Sequence, residues 1–296
     1  MRIVSLLPST TEILFGLGAG EDVVGVTFEC DHPAEARSRT IVSSSAMPAG
    51  LTPREIDDFV ADATARGEDL YRLEGEALAG LDADLVVTQD LCAVCAIDVS
   101  TVDAALSHLG CDAEVHSYDP YSIDEIFDGI VALGRRVGRE REATDWVSTL
   151  RDRLDRLEAR VADLPRPRVL LLEWTDPPFA PGHWIPEMVE RAGGIPVLGR
   201  PGQDSVRVTW EQVDAADPDV VVVAPCGFDL DGASAQAELV ADRFPGIPVW
   251  AVDADAMFAR PGPRVVDGVE ALAAVLHPDL GRTGDARLVS PARRGS

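Results

Sequence analysis

The sequence predicts an α/β protein of two Rossmann-like lobes joined by a long rigid linking helix. Short β-branched runs alternate with helical patterns over residues 1–120 and again over residues 165–280, which indicates mostly parallel sheets covered by helices. Between these blocks, residues 121–164 have helical periodicity throughout. We therefore expect an N-terminal lobe, linking helices, a C-terminal lobe and a disordered tail at residues 281–296.

The N-terminal lobe is predicted from four apolar runs and the helical patterns beside them. The runs cover residues 3–7, 23–27, 85–88 and 113–117. The first helix is expected to begin with a capping box, in which Ser9 is followed three residues later by Glu12. This order of strand and helix is typical of βαβ units.

The linking segment is predicted from apolar residues that recur every three or four positions. A second capping box, Ser122 and Glu125, opens it, and Gly138 is expected to break it. Beyond Gly138 the periodicity predicts one helix of about 25 residues, which would extend roughly 38 Å. Such a helix is better suited to a stiff link between lobes than to a coiled coil, since it covers only about three heptads.

The C-terminal lobe repeats the alternation. Strands are predicted at residues 169–172, 220–224 and 249–252, and helices at 185–191, 210–215, 233–242 and 263–276. From residue 281 onward the chain is rich in Gly, Arg and Ser without periodicity, so a disordered tail is expected there.

The charge of the chain excludes some partners. All 26 basic residues are arginine and 51 residues are acidic, so the formal charge is −25. A field this negative repels nucleic acid and anionic membranes, and the composition is typical of an acidic, halophile-like surface. No apolar run approaches the roughly 20 residues of a membrane span, so an integral membrane protein is not expected.

No enzyme signature stands out in the sequence. It contains neither a G-x-S-x-G nucleophile elbow nor a P-loop. The glycines at positions 16, 18 and 20 follow a predicted helix rather than a strand, so they indicate a helix end and not a dinucleotide site.

The first residues lack the pattern of a signal peptide, because a short strand leads directly into Pro8. A cytoplasmic location is therefore expected, or an extracytoplasmic one if a leader has been removed.

Several motifs in a fixed order resemble the class III substrate-binding proteins of ABC importers, which take up cobalamin, haem and ferric siderophores. They are S-L-L-P-S-T-T-E at residues 5–12, V-G-V-T at 24–27, C-D-H-P at 30–33, L-D-A-D-L-V-V at 81–87 with its echo A-D-P-D-V-V-V at 216–222, and R-P-G-P-R-V-V at 260–266. The similarity is greatest to the cobalamin-binding branch. It implies non-catalytic binding of a small metal chelate in a cleft between the lobes.

Residues at the carboxyl ends of the predicted strands are the candidate ligand contacts, because ligands of open α/β sheets bind at that edge. Aromatic side chains among them suit a large flat ligand such as a corrinoid, and histidines could coordinate its metal. The candidates are Phe28, Cys30, His32, Trp174, Phe179, His183, Trp184 and Phe258.

Four cysteines are expected near the same edge, whereas Cys111 is expected at the opposite edge. The four are Cys30, Cys92, Cys95 and Cys226. They could hold Zn or an iron-sulfur cluster, Cys92 and Cys95 could form a redox-active or disulfide pair, or all could remain free thiols. The first two possibilities define an alternative function, that of a cytosolic metal, iron-sulfur or redox protein.

The resemblance also implies a protein partner. In importer-associated relatives one surface glutamate of each lobe docks onto the permease of the ABC importer. Glu76 and Glu211 occupy the matching places in the repeated motifs of this chain.

Overall fold

The computed structural model describes residues 1–89, 99–109, 112–281 and 283–290. The chain divides into two compact units. Unit 1 comprises Met1–Pro120 and Phe127–Val147, and unit 2 comprises Tyr121–Ile126 and Ser148–Ser296. The predicted linking segment is therefore shared between the units rather than separate from both.

Unit 1 is built on a parallel sheet with the strand order β3-β2-β1-β6-β7, and β4 pairs with β5 in a separate antiparallel ribbon. The strands are β1 (Ile3–Ser5), β2 (Val23–Val26), β3 (Thr40–Ile41), β4 (Ser43–Ser45), β5 (Tyr71–Leu73), β6 (Leu85–Thr88) and β7 (Glu114–Ser117). The two central strands, β1 and β6, are buried along their whole length, which explains their continuous apolar sequence.

Within the described residues, six α-helices accompany unit 1 and the linking segment. They are α1 (Pro8–Gly16), α2 (Pro53–Arg66), α3 (Gly75–Ala79), α4 (Val99–Leu109), α5 (Ile123–Arg136) and α6 (Glu140–Val161), with short 3₁₀ helices at Gly20–Asp22 and Ala34–Ser38. The first helix begins at Pro8 and not after a Ser9 cap, because proline is favoured at the first helical position. Ser122 does cap α5, since its hydroxyl oxygen accepts the Glu125 N–H at 3.2 Å.

The linking segment contains two helices that are separated near Gly138, as predicted. Gly138 has a φ of +70°, a left-handed conformation that favours glycine. The helix α6 has 22 residues, close to the length that the apolar periodicity indicates. Its Arg153 guanidinium contacts Asp267 at 2.5 Å and Glu270 at 2.7 Å within unit 2.

Unit 2 has a main sheet with the order β11-β8-β13-β14-β15 and a small antiparallel sheet with the order β12-β10-β9. The strands are β8 (Arg168–Leu172), β9 (Trp174–Thr175), β10 (Pro178–Ala180), β11 (Ile195–Val197), β12 (Val206–Arg207), β13 (Val220–Val223), β14 (Val249–Val252) and β15 (Ala286–Ser290). Strands β11, β8, β13 and β14 are parallel.

The helices of unit 2 cover this main sheet. They are α7 (Ile185–Arg191), α8 (Trp210–Ala215), α9 (Leu230–Ala241), α10 (Ala254–Met257) and α11 (Val265–Leu276), followed by a 3₁₀ helix at Pro278–Leu280. The core beneath α9 includes Leu170, Val221, Val223 and Phe244. Burial of these apolar side chains stabilises the unit by about 25 cal/mol per Å² removed from water.

The prediction of a disordered tail at residues 281–296 is wrong over Ala286–Ser290. This segment is strand β15, which pairs antiparallel with β14. Its Val289 packs against the core of unit 2, and its Arg287 donates to Asp231 of α9 at 2.9 Å. The strand forms because an open sheet edge satisfies its main-chain hydrogen bonds, a partner that the local sequence does not reveal.

No helix within the described part of the chain is long and apolar enough to cross a membrane.

We expect Gly129→Ala to lower the free energy of unfolding by about 1–3 kcal/mol. A Cβ at position 129 would lie 2.3 Å from the ring of Tyr118, which is only 3% exposed and cannot swing away. Without this clash, alanine would stabilise the helix by about 1 kcal/mol. Urea unfolding measures the difference, and Gly75→Ala is the control because no atom lies within 4 Å of its added Cβ. Equal stability of Gly129→Ala and Gly75→Ala would contradict the close packing of Gly129 against the Tyr118 ring.

Candidate ligand-binding site

A row of partly exposed side chains lies at the carboxyl edge of the main sheet of unit 2. In the small sheet, Phe179 pairs with Trp174 on one side and with Arg207 on the other. Directly paired residues share a face, so the three side chains form one line. Phe228, which follows β13, extends it, with its ring 5.7 Å from that of Trp174. We call Phe228, Trp174, Phe179 and Arg207 the aromatic row.

The opposite face of the small sheet is anchored in the core. Ala180 is fully buried, and Thr175 is 2% exposed and donates from its hydroxyl to Gln236 of α9 at 2.7 Å. Because side chains alternate along a strand, burial of these residues leaves Trp174 and Phe179 on the outer face. The row is therefore held on a rigid support.

The loops that follow the parallel strands are hydrogen-bonded to one another. The Cys226 N–H donates to the Glu173 carbonyl at 3.3 Å, which joins the loops after β13 and β8. The Asp255 N–H donates to the Phe228 carbonyl at 3.0 Å, which joins the loops after β14 and β13. The strand ends thus form one continuous edge.

An ion pair between a buried arginine and a partly exposed aspartate lies at this edge and was missed by sequence reasoning. The Arg260 guanidinium contacts Asp255 at 2.5 Å, and the Arg260 side chain is 8% exposed. The sequence contains two signals: Asp255 follows a predicted strand, and Arg260 opens the R-P-G-P-R motif. Nothing in the local sequence indicates that Asp255 and Arg260 form an ion pair.

His183 lies next to the small sheet in a left-handed conformation, with a φ of +51°. Its main chain holds the following loop, since the His183 N–H donates to Gln203 at 2.6 Å and the Gly202 N–H donates to His183 at 2.9 Å. The imidazole ring is 5.1 Å from the Tyr121 ring, and its Nε2 is 3.6 Å from the Asp204 carboxylate. Burial lowers the pKa of His183, and the negative charge of Asp204 partly opposes this effect.

Two predicted ligand contacts of unit 2 belong to its interior instead. Phe258 is fully buried and Trp184 is 5% exposed. The Trp184 indole N–H donates to the Phe258 carbonyl at 2.9 Å. Both side chains are enclosed within unit 2, and their contact with a ligand stays a prediction.

In unit 1, Phe28 presents 38% of its surface after β2. Its ring lies 5.9 Å from the ring of Tyr71, whose hydroxyl donates to Glu29 at 3.3 Å. His32 is exposed a few residues later. Tyr71 was not a sequence candidate, because it belongs to a short strand distant in sequence.

Cys30 is an interior residue of unit 1 rather than a surface thiol. It is 2% exposed, and its Sγ lies 3.0 Å from the Thr11 hydroxyl. That hydroxyl also donates to Ser5 at 2.8 Å, and Ser5 lies 2.7 Å from the Thr10 hydroxyl. Cys30 is therefore part of a buried polar network that includes Thr10 and Thr11 of α1, and its role in ligand contact stays a prediction.

The predicted cysteine metal site is not supported. Cys92, Cys95 and Cys111 lie outside the described residues, and Cys226 is an exposed thiol. Among the residues that are described, no three His, Cys, Asp or Glu side chains are grouped closely enough to hold a metal ion. With Cys30 committed to the Thr11 network, the alternative of a metal, iron-sulfur or redox protein is not favoured.

Both predicted docking glutamates are exposed on short helices. Glu76 lies in α3 of unit 1 and Glu211 lies in the first turn of α8 in unit 2. Hydrogen bonds from its own main-chain N–H and then from the Thr209 hydroxyl lower the pKa of Glu211. Glu211 therefore stays ionised at neutral pH.

The chain belongs to the periplasmic binding protein family, whose model matches residues 3–252. This membership confirms the predicted resemblance and the expectation of a binding protein rather than an enzyme. It also confirms the α/β fold class, since the parallel sheets agree with those of solved relatives.

Known proteins of similar length resemble the whole chain. A Bacillus subtilis ABC transporter substrate-binding lipoprotein, YvrC, which is uncharacterized, is 25% identical over 289 residues, 94% of this chain and 80% of that protein. The vitamin B12-binding protein of Vibrio cholerae is 26% identical over 280 residues, 91% of this chain and 86% of that protein.

Solved structures share the fold. The periplasmic vitamin B12 binding protein BtuF of Vibrio cholerae superposes with a TM-score of 0.64 at 23% identity, covering 95% of this chain and 98% of that chain. A periplasmic heme binding protein of Pseudomonas aeruginosa gives a TM-score of 0.67 at 21% identity, covering 98% and 95%.

We expect the stability of the chain to fall as the pH drops below about 6.5, the ordinary pKa of histidine. The pKa of His183 is lowered in the folded state, so the unfolded chain binds a proton there first and is favoured by acid. Replacement by asparagine, which tolerates the left-handed backbone, should reduce this loss in urea unfolding between about pH 7.5 and about pH 5.

The matched variant Asp204→Asn should lower the pKa of His183 further, because it removes the charge that opposes the effect of burial. Titration of the imidazole resonances by NMR measures both values. A His183 pKa above the ordinary histidine value would contradict the burial of this ring.

Proposed function

We propose that this chain binds a metal chelate as its cargo: a cobalamin-like corrinoid, or alternatively haem or a ferric siderophore. The aromatic row carries this proposal. Phe228, Trp174 and Phe179 form a line of partly exposed rings at the edge where open α/β sheets bind ligands. Exposed aromatic faces on a rigid support favour stacking against a macrocycle over binding of a small polar solute.

Other residues supply the remaining contacts in this proposal. His183, which belongs to the same unit as the aromatic row, adds an imidazole group. His183 is suited to a metal or to a polar arm of the chelate, because its lowered pKa keeps the ring neutral at pH 7. The half-buried Asp255, held by Arg260, is an additional hydrogen-bond acceptor.

The names of the relatives support the same class of cargo. One curated relative is a vitamin B12-binding protein, and solved structures of the same fold include vitamin B12 and heme binding proteins. A binding site for a corrin or a porphyrin needs apolar side-chain rings, with a few polar groups at one edge. The aromatic row meets the apolar part of this requirement.

We also propose that the chain serves an ABC importer outside the cytoplasm. A curated relative is a substrate-binding lipoprotein of an ABC transporter, and solved structures of the same fold are described as periplasmic binding proteins. Glu76 and Glu211 are exposed carboxylates on separate units, suited to basic pockets of a permease. Fractionation of the source cells tests the location, and recovery of the chain only with cytosolic proteins would contradict it.

We expect Trp174→Leu and Phe179→Leu each to weaken chelate binding by about tenfold, the equivalent of about 1.4 kcal/mol of stacking and burial. Calorimetry and absorption spectra with cobalamin, haem and a ferric siderophore measure the affinity. Trp210→Leu is the matched control, because Trp210 is not part of the aromatic row: it lies on α8, packs against the core of unit 2 and has the Arg243 guanidinium over its ring at 4.2 Å.

Two results would refute this function. One is the absence of binding tighter than about 100 μM, roughly −5.5 kcal/mol, to every chelate in the panel. The other is an equal loss of affinity in Trp210→Leu and in the two variants of the aromatic row. Such a result would indicate that removing any large aromatic side chain, or any core packing, weakens binding.

The double variant Glu76→Gln, Glu211→Gln should reduce stimulation of the importer ATPase in liposomes by about tenfold, since charge pairs at an interface contribute about 1.5 kcal/mol or more. Chelate affinity should not change. The control is Glu142→Gln with Glu238→Gln, which alters net charge equally at exposed helix positions. Equal loss in both double variants would mean that only the overall charge matters.

A further inference from the structure

A groove lies at the amino edge of the main sheet of unit 2, opposite the edge that carries the aromatic row. It has a volume of about 510 Å³ and lies at the ends of α8 and α9, beside the starts of β13 and β14. Its floor is apolar, because Phe244 is 4% exposed and Ile247 packs against the same core. Its rim is charged. We call this surface the acidic groove, and its lining includes Asp214, Asp217, Asp242, Arg243, Phe244 and Ile247.

Two of the three carboxylates of the acidic groove are not neutralised by the described residues. The Arg243 guanidinium lies 3.3 Å from the Asp214 carboxylate and stacks over Trp210, so its charge is already paired. The exposed Asp217 and Asp242 carboxylates form no ion pair or hydrogen bond with the residues that the structure describes. A negative rim above an apolar floor fits an arginine side chain, which has an aliphatic stem and a charged end.

The end of strand β15 directs the chain towards the acidic groove. Ser290, the last residue of β15, pairs with Val249 at the start of β14, and Val249 follows Ile247 by two residues. Strand β15 lies two strands away from β13. Two strand spacings are about 10 Å, a distance that three extended residues span. The side chain of residue 293 can therefore reach Asp217, which precedes β13.

The residues that follow β15 have matching chemistry. Pro291 has no N–H to continue the strand pairing, and Arg293 and Arg294 belong to a segment, residues 291–296, without acidic residues. Two adjacent guanidinium groups match the two carboxylates that the described residues leave unpaired. An arginine already holds β15 from its other end, since Arg287 donates to Asp231 of α9 at 2.9 Å.

We propose that residues 291–296 dock in the acidic groove and hold strand β15 on the main sheet. Arg293 and Arg294 pair there with Asp217 and Asp242. Strand β15 is the last in its sheet and pairs with β14 alone among the described strands. A short edge strand opens more easily than the strands of the core. The docked segment therefore sets how often β15 detaches, whatever cargo the chain carries.

The absence of lysine from the sequence allows a direct test. Arg293→Lys introduces a single ε-amine, and a carbodiimide joins an amine to a carboxylate in contact with it. We expect mass spectrometry of the monomer to find the new amine joined to Asp217 or Asp242. The amine of Met1, which lies 3.3 Å from the Asp22 carboxylate, is the internal positive control.

Hydrogen exchange tests the effect on β15. Arg293→Gln with Arg294→Gln should speed exchange of the β15 main-chain N–H groups by about fivefold, the equivalent of about 1 kcal/mol of charge pairing. Asp217→Asn with Asp242→Asn should have the same effect, because asparagine tolerates the left-handed backbone of Asp217. All four changes together should have no larger effect, and the difference from wild type should shrink as salt is raised.

The control is Arg141→Gln with Arg156→Gln, which removes the same charge from exposed positions of α6 and should leave exchange of β15 unchanged. Joining of the new amine mainly to carboxylates outside the acidic groove overturns the docking. Cross-links between two molecules also overturn it, because the groove would then receive a second copy of the chain. Cross-linking to the groove with no change in exchange overturns the role of the segment in holding β15.

Discussion

Parallel strands impose the constraint on which the candidate site depends. Each crossover returns the chain to the same edge of the sheet, so every strand of a parallel set ends at one edge. In unit 2 the register of β8, β13 and β14 brings the segments that follow Leu172, Val223 and Val252 to that edge. Hydrogen bonds between the loops then join these segments into one surface. Residues distant in sequence, such as Glu173 and Cys226, become neighbours without any local signal.

The small antiparallel sheet converts this edge into a platform. Two of its strands, β9 and β10, bury Thr175 and Ala180 on the core side, and alternation places Trp174 and Phe179, with the paired Arg207, on the other side. The rigidity of the platform comes from the core beneath it rather than from the exposed residues themselves. A binding surface supported in this way loses little conformational entropy when a ligand stacks on it.

Much of the fold could be predicted because hydrophobic spacing is local. The bounds of β6 were predicted to the residue, and the break at Gly138 was placed correctly. The predicted start of α1 was wrong, because the helix begins with Pro8 at its first position and not after a Ser9 cap. Strand β15 was missed because its pairing partner β14 is not visible in the local sequence. The small sheet was missed because its strands have only two or three residues, too few for a periodic signal.

The sequence by itself determined the alternation of strands and helices, the acidic surface and the list of aromatic residues after the strands. Only the tertiary structure decided which of those side chains are exposed to a ligand. Trp184 and Phe258, 74 positions apart, are both buried, and the Trp184 indole N–H donates to the Phe258 carbonyl. Cys30 is buried beside the Thr11 hydroxyl. Phe179 remains accessible beside Arg207. Accessibility depends on contacts between distant segments, whereas hydrophobic periodicity reports only on neighbours along the chain.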